Sequence, residues 1–312
     1  MNMLDIEHVS VSFTRYRGLF RQQSLPVVHG VALSVRAGEV VALVGSSGAG
    51  KSVLAHAILG LLPDNARMTG TIRYNGDVLD ANRQQALRGK EIAFVPQSVN
   101  YLNPLMRVGP QADGAKASAA VVAKRRDVFA RYRLAEHVER LLPFELSGGM
   151  ARKVLVSTAV IGGARLIIAD EPTPGMHPDD VRAALGDFRE LADGGSAVLL
   201  IMHDIGAALN VADTIAVMYA GTVVEAAAAG DFSGAGERLR HPYSRALWRA
   251  LPQNEFAAGP AAAMQAPYAD DALPAGCAYA PRCELATDDC FSGGPVPMAA
   301  LRGGTVRCWH AT

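Results

Sequence analysis

Gly45-Ser46-Ser47-Gly48-Ala49-Gly50-Lys51-Ser52 follows the apolar run Glu39-Val40-Val41-Ala42-Leu43-Val44 and precedes a helical pattern that begins at Lys51. The spacing is G-x-x-x-x-G-K-S, and strand before with helix after is the context that makes the pattern a phosphate loop. Its glycines let the backbone fold tightly enough for successive N–H groups to face a phosphate, and the positive end of the next helix adds to the attraction. Lys51 supplies a point charge to the phosphates and the Ser52 hydroxyl can ligate Mg²⁺. Gly45 through Ser52, with Val53 next on the helix, are therefore the expected nucleotide contacts. A run apolar on both faces marks a central strand in a sheet covered on two sides.

Three further elements follow in order. Leu146-Ser147-Gly148-Gly149 opens a long helical pattern, Met150 to Ile161. Serine and two glycines at a helix start form a second anion cradle, although alone they would read as an ordinary cap. The strand Leu166-Ile167-Ile168-Ala169 ends in Asp170-Glu171 at the carboxyl edge of the sheet, where open α/β sheets hold ligands. Asp170 is expected to hold Mg²⁺, and Glu171 to orient and deprotonate the attacking water. The apolar run Ala197–Met202 ends at His203, which on its own would more often be structural.

The 312 residues suffice for one large α/β domain with a smaller appendage. Lysine plus arginine equal aspartate plus glutamate, 30 against 30, which removes the electrostatic case for a dedicated nucleic-acid binder. The N-terminal residues lack a signal-peptide core, and the longest apolar run falls far short of the ~20 residues that span a bilayer. A soluble chain that reaches a membrane through partners is expected.

Alternation over 4–13, strands at 28–35, 70–74 and 91–96, and a helix from Lys51 to about Leu62, stopped by Pro63, fill in the first half. Residues 106–144 read as a small helical subdomain whose basic run, Lys116 to Arg126, is expected to be a solvated face. Strand and helix then alternate to Tyr219, the Ala-Gly stretch 226–236 interrupts them, and His241–Leu251 reads as one more helix. Residues 256–276 have linker composition.

All four cysteines, Cys277, Cys283, Cys290 and Cys308, lie in the last segment. Four thiolates in a stretch too short for its own core suit tetrahedral zinc or an iron–sulfur cluster, with disulfides or buried thiols as the remaining readings.

The ordered set resembles the ABC transporter ATPases over residues 4–225. That resemblance implies the P-loop NTPase α/β fold, a mixed sheet core plus a helical subdomain at about 105–150, within an ATPase domain of residues 1–238. Residues 239–312 would be a C-terminal extension with the small Cys-rich tail. It implies that two subunits sandwich each ATP, so that Ser147, Gly148 and Gly149 meet the nucleotide held by the partner. It makes Gln97 the sensor of Mg²⁺ and water that couples to the membrane subunit, and His203 the contact to the γ-phosphate. Phe13 would stack on adenine, with Tyr16 as runner-up.

Leu146-Ser147-Gly148-Gly149-Met150, Gln97 to Pro104, His241-Pro242-Tyr243 and Gly276 to Cys283 are similar to the oligopeptide, dipeptide and nickel importer branch. The branch implies ATP hydrolysis driving import of peptides, nickel or a metal–chelator complex at the cytoplasmic face of the membrane. Its partners would be a second ATPase subunit, two transmembrane permease subunits and an extracytoplasmic solute-binding protein. It also favours a [4Fe–4S] cluster over zinc in the tail. Pro174-Gly175-Met176-His177 departs from the family, whose loop carries an aspartate at this point. The departure raises two alternatives, an asymmetric heterodimer and a catalytically weak ATP-binding subunit. A soluble non-transport ABC ATPase is the other alternative, disfavoured by the single cassette and neutral charge.

Overall fold

A computed structural model describes residues 2–17, 21–114, 118–251, 254, 275–301 and 303–311. Two long strands, β1 (Asn2–Arg17) and β2 (Arg21–Arg36), precede β3 (Val40–Val44) and α1 (Lys51–Leu59). Then come β4 (Ala66–Tyr74), β5 (Asp77–Val78), α2 (Ala81–Leu87) and β6 (Ile92–Val95). Helices α3 (Val108–Asp113), α4 (Ala119–Arg131) and α5 (Gly148–Gly162) lead to β7 (Leu166–Asp170), α6 (Pro178–Asp193), β8 (Ala197–Met202) and α7 (Ile205–Leu209). The chain continues through β9 (Thr214–Tyr219), β10 (Thr222–Ala228), α8 (Pro242–Arg249), α9 (Asp288–Ser292), β11 (Ala299–Leu301) and β12 (Gly304–Val306).

The strands form two sheets. One is antiparallel in the order β2-β1-β4-β5; the other is mixed, β11-β12-β10-β9-β3-β8-β7-β6, with parallel pairing from β9 through β6. Every residue of β3, β7 and β8 is buried, as their unbroken apolar sequences require. Successive side chains of β3 alternate between two cores. Val40, Ala42 and Val44 join α5 and α6, while Val41 and Leu43 face α1 and the antiparallel sheet. Each fully buried Val or Leu contributes about 1.5–3 kcal/mol relative to exposure, so the strand that carries the phosphate loop is anchored from both sides.

Several boundaries differ from the sequence reading for physical reasons. Helix α1 stops at Leu59 because Gly60 turns left-handed (φ 63°) before Pro63 is reached. The Gln84 side-chain amide then takes the freed carbonyls of Ala57 (2.9 Å) and Ile58 (3.1 Å). Strand β10 runs through Ala226–Ala228, where an interruption was expected. Pairing with β9 overrides the weak strand preference of alanine. The basic run of α4 is not wholly solvated. Arg125 is buried and bonds Glu139 at 2.7 Å and also Asp113, while Arg126 stays exposed. Lys116, Ala117, the side chain of Tyr16 and the expected linker up to residue 274 lie outside the described residues.

The tail extends the central sheet, because β12 pairs with β10 at Glu225↔Val306. Buried Glu225 accepts the N–H groups of Arg240 (2.8 Å) and His241 (3.0 Å), which fixes the start of α8. His241 is neutral there. Burial, with a smaller push from Arg245, lowers its pKa to about 3, and its Nδ1 accepts from the Tyr243 N–H at 3.0 Å. The unfolded chain therefore binds a proton that the folded chain refuses between about pH 6.5 and 3, and stability falls as pH falls through that window. His241→Asn keeps a capping acceptor without the titration. Acid unfolding followed by circular dichroism should show a shallower loss of stability below pH 6.5 than wild type, by up to about 1.4 kcal/mol per pH unit.

Candidate functional site

The phosphate loop leaves β3 at Gly45, whose φ of 155° brings the backbone against the Met218 carbonyl on β9, where any Cβ would collide. Gly50 (φ 96°) begins α1 with somewhat more room, since a Cβ would lie 3.0 Å from the Val27 carbonyl oxygen, a tight contact in a left-handed backbone. Lys51, only 6% exposed, folds back so that Nζ donates to the carbonyls of Gly45 (2.8 Å) and Ser46 (3.0 Å). Burial lowers its pKa, opposed by the carboxylates of Glu171 and Asp170. Ser52 stands beside Asp170, and Val53 packs against the core under the antiparallel sheet.

Asp170, the last residue of β7, is 2% exposed, and its Oδ1 is buried without a hydrogen-bond partner. Burial pushes its pKa up; the Ser52 hydroxyl pulls the other way. An unpartnered carboxylate oxygen beside a serine hydroxyl is the donor chemistry that suits Mg²⁺. The Ser46 hydroxyl is likewise buried and unpaired. These residues fit magnesium and a nucleotide phosphate.

Glu171 leaves the strand with φ 44°, a left-handed conformation rare for a residue with a side chain and held by its N–H bond to the Ile201 carbonyl (2.9 Å). The turn aims the carboxylate between two other residues expected at the site. Gln97 Nε2 donates to Oε2 at 3.0 Å, and His203 Nδ1 lies 3.8 Å from Oε1. Glu171, His203, Thr173 and Pro174 line a cavity of about 200 Å³. The three residues assigned to water and γ-phosphate thus converge in space, although they sit after β6, β7 and β8.

Ser147 caps α5, its hydroxyl accepting from the Met150 N–H at 3.3 Å. Ser147 and Gly148 are exposed, and Gly149 adjoins the Gly175 carbonyl. The element thus presents an open helix start beside the loop Pro174–His177. That loop closes with Met176 N–H to Thr173 O (3.2 Å) and then caps α6 with His177, whose Nδ1 accepts from the Asp179 N–H at 3.4 Å. Phe13 is partly buried against the core of the antiparallel sheet.

Sequence reading missed Arg152. Its guanidinium is buried in the first turns of α5 and donates to the Pro96 carbonyl (3.0 Å) just before Gln97; burial lowers its pKa, opposed by the charges of Glu171 and Asp170. Lys153 beside it pairs with Asp180 on α6 at 2.8 Å. No sequence signal singles out these two within a helix of mixed composition.

In the tail, all four cysteines are free. Burial raises the thiol pKa values of Cys277, Cys283 and Cys308, and neighbouring thiolates among the four raise them further, so the sulfurs share one neighbourhood. The Cys290 sulfur also lies 3.5 Å from His310 Nε2, a neighbour that the sequence reading did not anticipate. Among the described residues, however, no three His, Cys, Asp or Glu side chains are arranged to hold a metal. The expected closed coordination set is therefore not formed by these side chains as they stand.

Residues 28–174 match the ABC transporter family, and residues 224–290 match the oligopeptide/dipeptide transporter C-terminal region. The chain is 32% identical to the oligopeptide transport ATP-binding protein AppD of Bacillus subtilis, across 98% of this chain and 96% of that protein. It is 32% identical to the probable D,D-dipeptide transport ATP-binding protein DdpD of Escherichia coli, across 99% and 96%. Among solved structures, an ATP-binding subunit of an ABC transporter superposes with a TM-score of 0.62 at 26% identity, covering 74% of this chain and 91% of that one. A dimeric bacterial ABC transporter cassette shares the fold, with a TM-score of 0.63 at 23% identity over 73% and 99%. The chain belongs to the ATP-binding subunits of ABC transporters, in the branch that carries the oligopeptide/dipeptide transporter C-terminal region.

Proposed function

We propose that this chain hydrolyses ATP to drive import of peptides through a membrane permease, with Glu171 as the residue that activates water. The convergence of Gln97 and His203 on the Glu171 carboxylate is the observation that carries the reading. The phosphate loop amides and Lys51 receive the β- and γ-phosphates; Ser52, Asp170 and Gln97 would hold Mg²⁺, which when bound offsets phosphate charge. Glu171 accepts the proton of the attacking water. Gln97 holds the carboxylate in place, and His203, reaching in from the end of β8, contacts the γ-phosphate. The electrostatic work is done by groups already fixed before ATP arrives, which is where such sites derive most of their rate.

Ser147, Gly148 and Gly149 complete the site of a second ATPase subunit, a role supported by the exposure of Ser147 and Gly148 at a helix start. Tyr101, Leu105 (91% exposed), Met106 and Phe144 leave large apolar side chains uncovered around the segment after Gln97 and the helical subdomain. A permease subunit seated there would feel movement of the Gln97 loop. None of the helices among the described residues is long and apolar enough to cross a membrane, so attachment to the cytoplasmic face through permeases fits. The relatives named for oligopeptide and dipeptide transport support peptides over nickel or a metallophore as cargo.

Pro174-Gly175-Met176-His177 carries no carboxylate where the ABC family has an aspartate, which supports a heterodimer with unequal sites. The shared neighbourhood of the four thiols supports a tail site that closes when a metal binds, and the resemblance to the importer branch favours [4Fe–4S] over zinc there. Anaerobic purification of the tagged chain from its own membranes tests these assignments together. The expected result is a second ATPase, two permease subunits, about four irons per chain and brown colour. A chain recovered without permeases contradicts the importer reading; one with zinc, or without metal, contradicts the cluster.

A further inference from the structure

The His241-Pro242-Tyr243 segment takes no part in the chemistry derived so far, yet it reaches the nucleotide site. Glu225 and the His241 cap fix the first turn of α8, which sends Tyr243 inward until none of it is exposed. Its ring packs against Tyr219, centroids 4.5 Å apart, and against Tyr279 at 5.4 Å. Tyr219 directly follows Met218, whose carbonyl abuts Gly45.

At the inner end of that ring lies Ser46. Its hydroxyl and main-chain N–H are the polar groups that act on the Tyr243 hydroxyl, which burial otherwise pushes toward the protonated form. Neither the Tyr243 nor the Ser46 hydroxyl completes a full hydrogen bond, and both are buried away from water. Two buried hydroxyls side by side without a full bond each carry a desolvation penalty, which a small adjustment of the loop would remove. Ser46 is also where the lysine rests, since its carbonyl accepts from Lys51 Nζ at 3.0 Å and from the Ala49 N–H at 3.2 Å.

We propose that Tyr243 is a positioning residue for nucleotide binding. Its buried, unpaired hydroxyl lies against the equally unpaired Ser46 hydroxyl, and closing that bond as the loop receives nucleotide sets the part of the phosphate loop on which Lys51 leans. The C-terminal region is thereby part of the ATP site and not only an attachment to it. The inference rests on the phosphate loop being the nucleotide site, so wild-type binding of ATP with Mg²⁺ must be established first in the same experiment.

The test is a double-mutant cycle in the full chain, using Tyr243→Phe, Ser46→Ala and the pair, with ATP affinity by calorimetry and nucleotide-free melting temperature for each. Tyr243→Phe keeps the ring packing and removes only the hydroxyl. Each single variant is expected to weaken ATP binding five- to tenfold and to raise KM more than it lowers kcat. The double variant should be no weaker than the weaker single, because both remove one bond. A rise of threefold or more in each single, without multiplication in the double, supports the proposal. A change below threefold in either single overturns it whatever happens to the melting temperature, and so do effects that multiply. Should Tyr243→Phe fail to fold, Tyr243→Met, which fills much of the ring's space without a hydroxyl, takes its place in the cycle under the same threefold limit. Loss of wild-type ATP binding would instead sink the nucleotide reading itself.

Discussion

Glu171→Gln is expected to lower ATP turnover by about 10²–10⁴-fold, the range that a positioned general base supplies. Affinity for ATP should stay within about twofold of wild type. The reason is geometric. Glutamine keeps the size of the side chain and can still meet Gln97, which donates at 3.0 Å, but it cannot take a proton from water. The left-handed backbone at φ 44° holds either side chain in the same place. A single-turnover assay with the chain and its partner subunits separates the readings. Unchanged cleavage would remove Glu171 from the chemistry, whereas tight binding without cleavage would support it. A catalytically weak subunit would show little difference between the two forms, so the same assay decides that alternative.

Lys51→Met should weaken ATP binding far more than it alters folding. Lys51 is an ammonium buried between two carbonyls, close to Asp170 and Glu171, and burial lowers its pKa. Removing a charge that meets a desolvated phosphate costs about 2–5 kcal/mol, or roughly thirtyfold to a few thousandfold in affinity. Methionine replaces the aliphatic stem and leaves the core beneath α1 filled, so the melting temperature without nucleotide should move by only a few degrees. A variant that binds ATP as well as wild type would show that the lysine serves the loop and not the ligand.

The central sheet was legible because its strands are apolar on both faces. Val40–Val44, Leu166–Asp170 and Ala197–Met202 needed no tertiary information to be placed. Asp170 and Glu171 followed from the strand that ends in them, whereas Gln97 and His203 were assigned through the resemblance to the ABC family; Gln97, Glu171 and His203 are found together. What stayed hidden depended on contacts distant in the chain. Strand β10 exists through pairing with β9 and β12, and its alanines carry no pattern of their own. Arg125 looked like part of a basic surface until Asp113 and Glu139 drew it inward. Arg152 and Tyr243 reach the site from helices whose sequences give no sign of which side chain points toward it. The cysteines stood out as a group, but sequence spacing cannot say whether four sulfurs close around one point.

The most direct test of the account is an equilibrium titration of the purified wild-type chain with ATP, with and without Mg²⁺. The account predicts saturable binding that tightens when magnesium is added and is lost in Lys51→Met. Binding that ignores both magnesium and the lysine, or no binding at all, would contradict it.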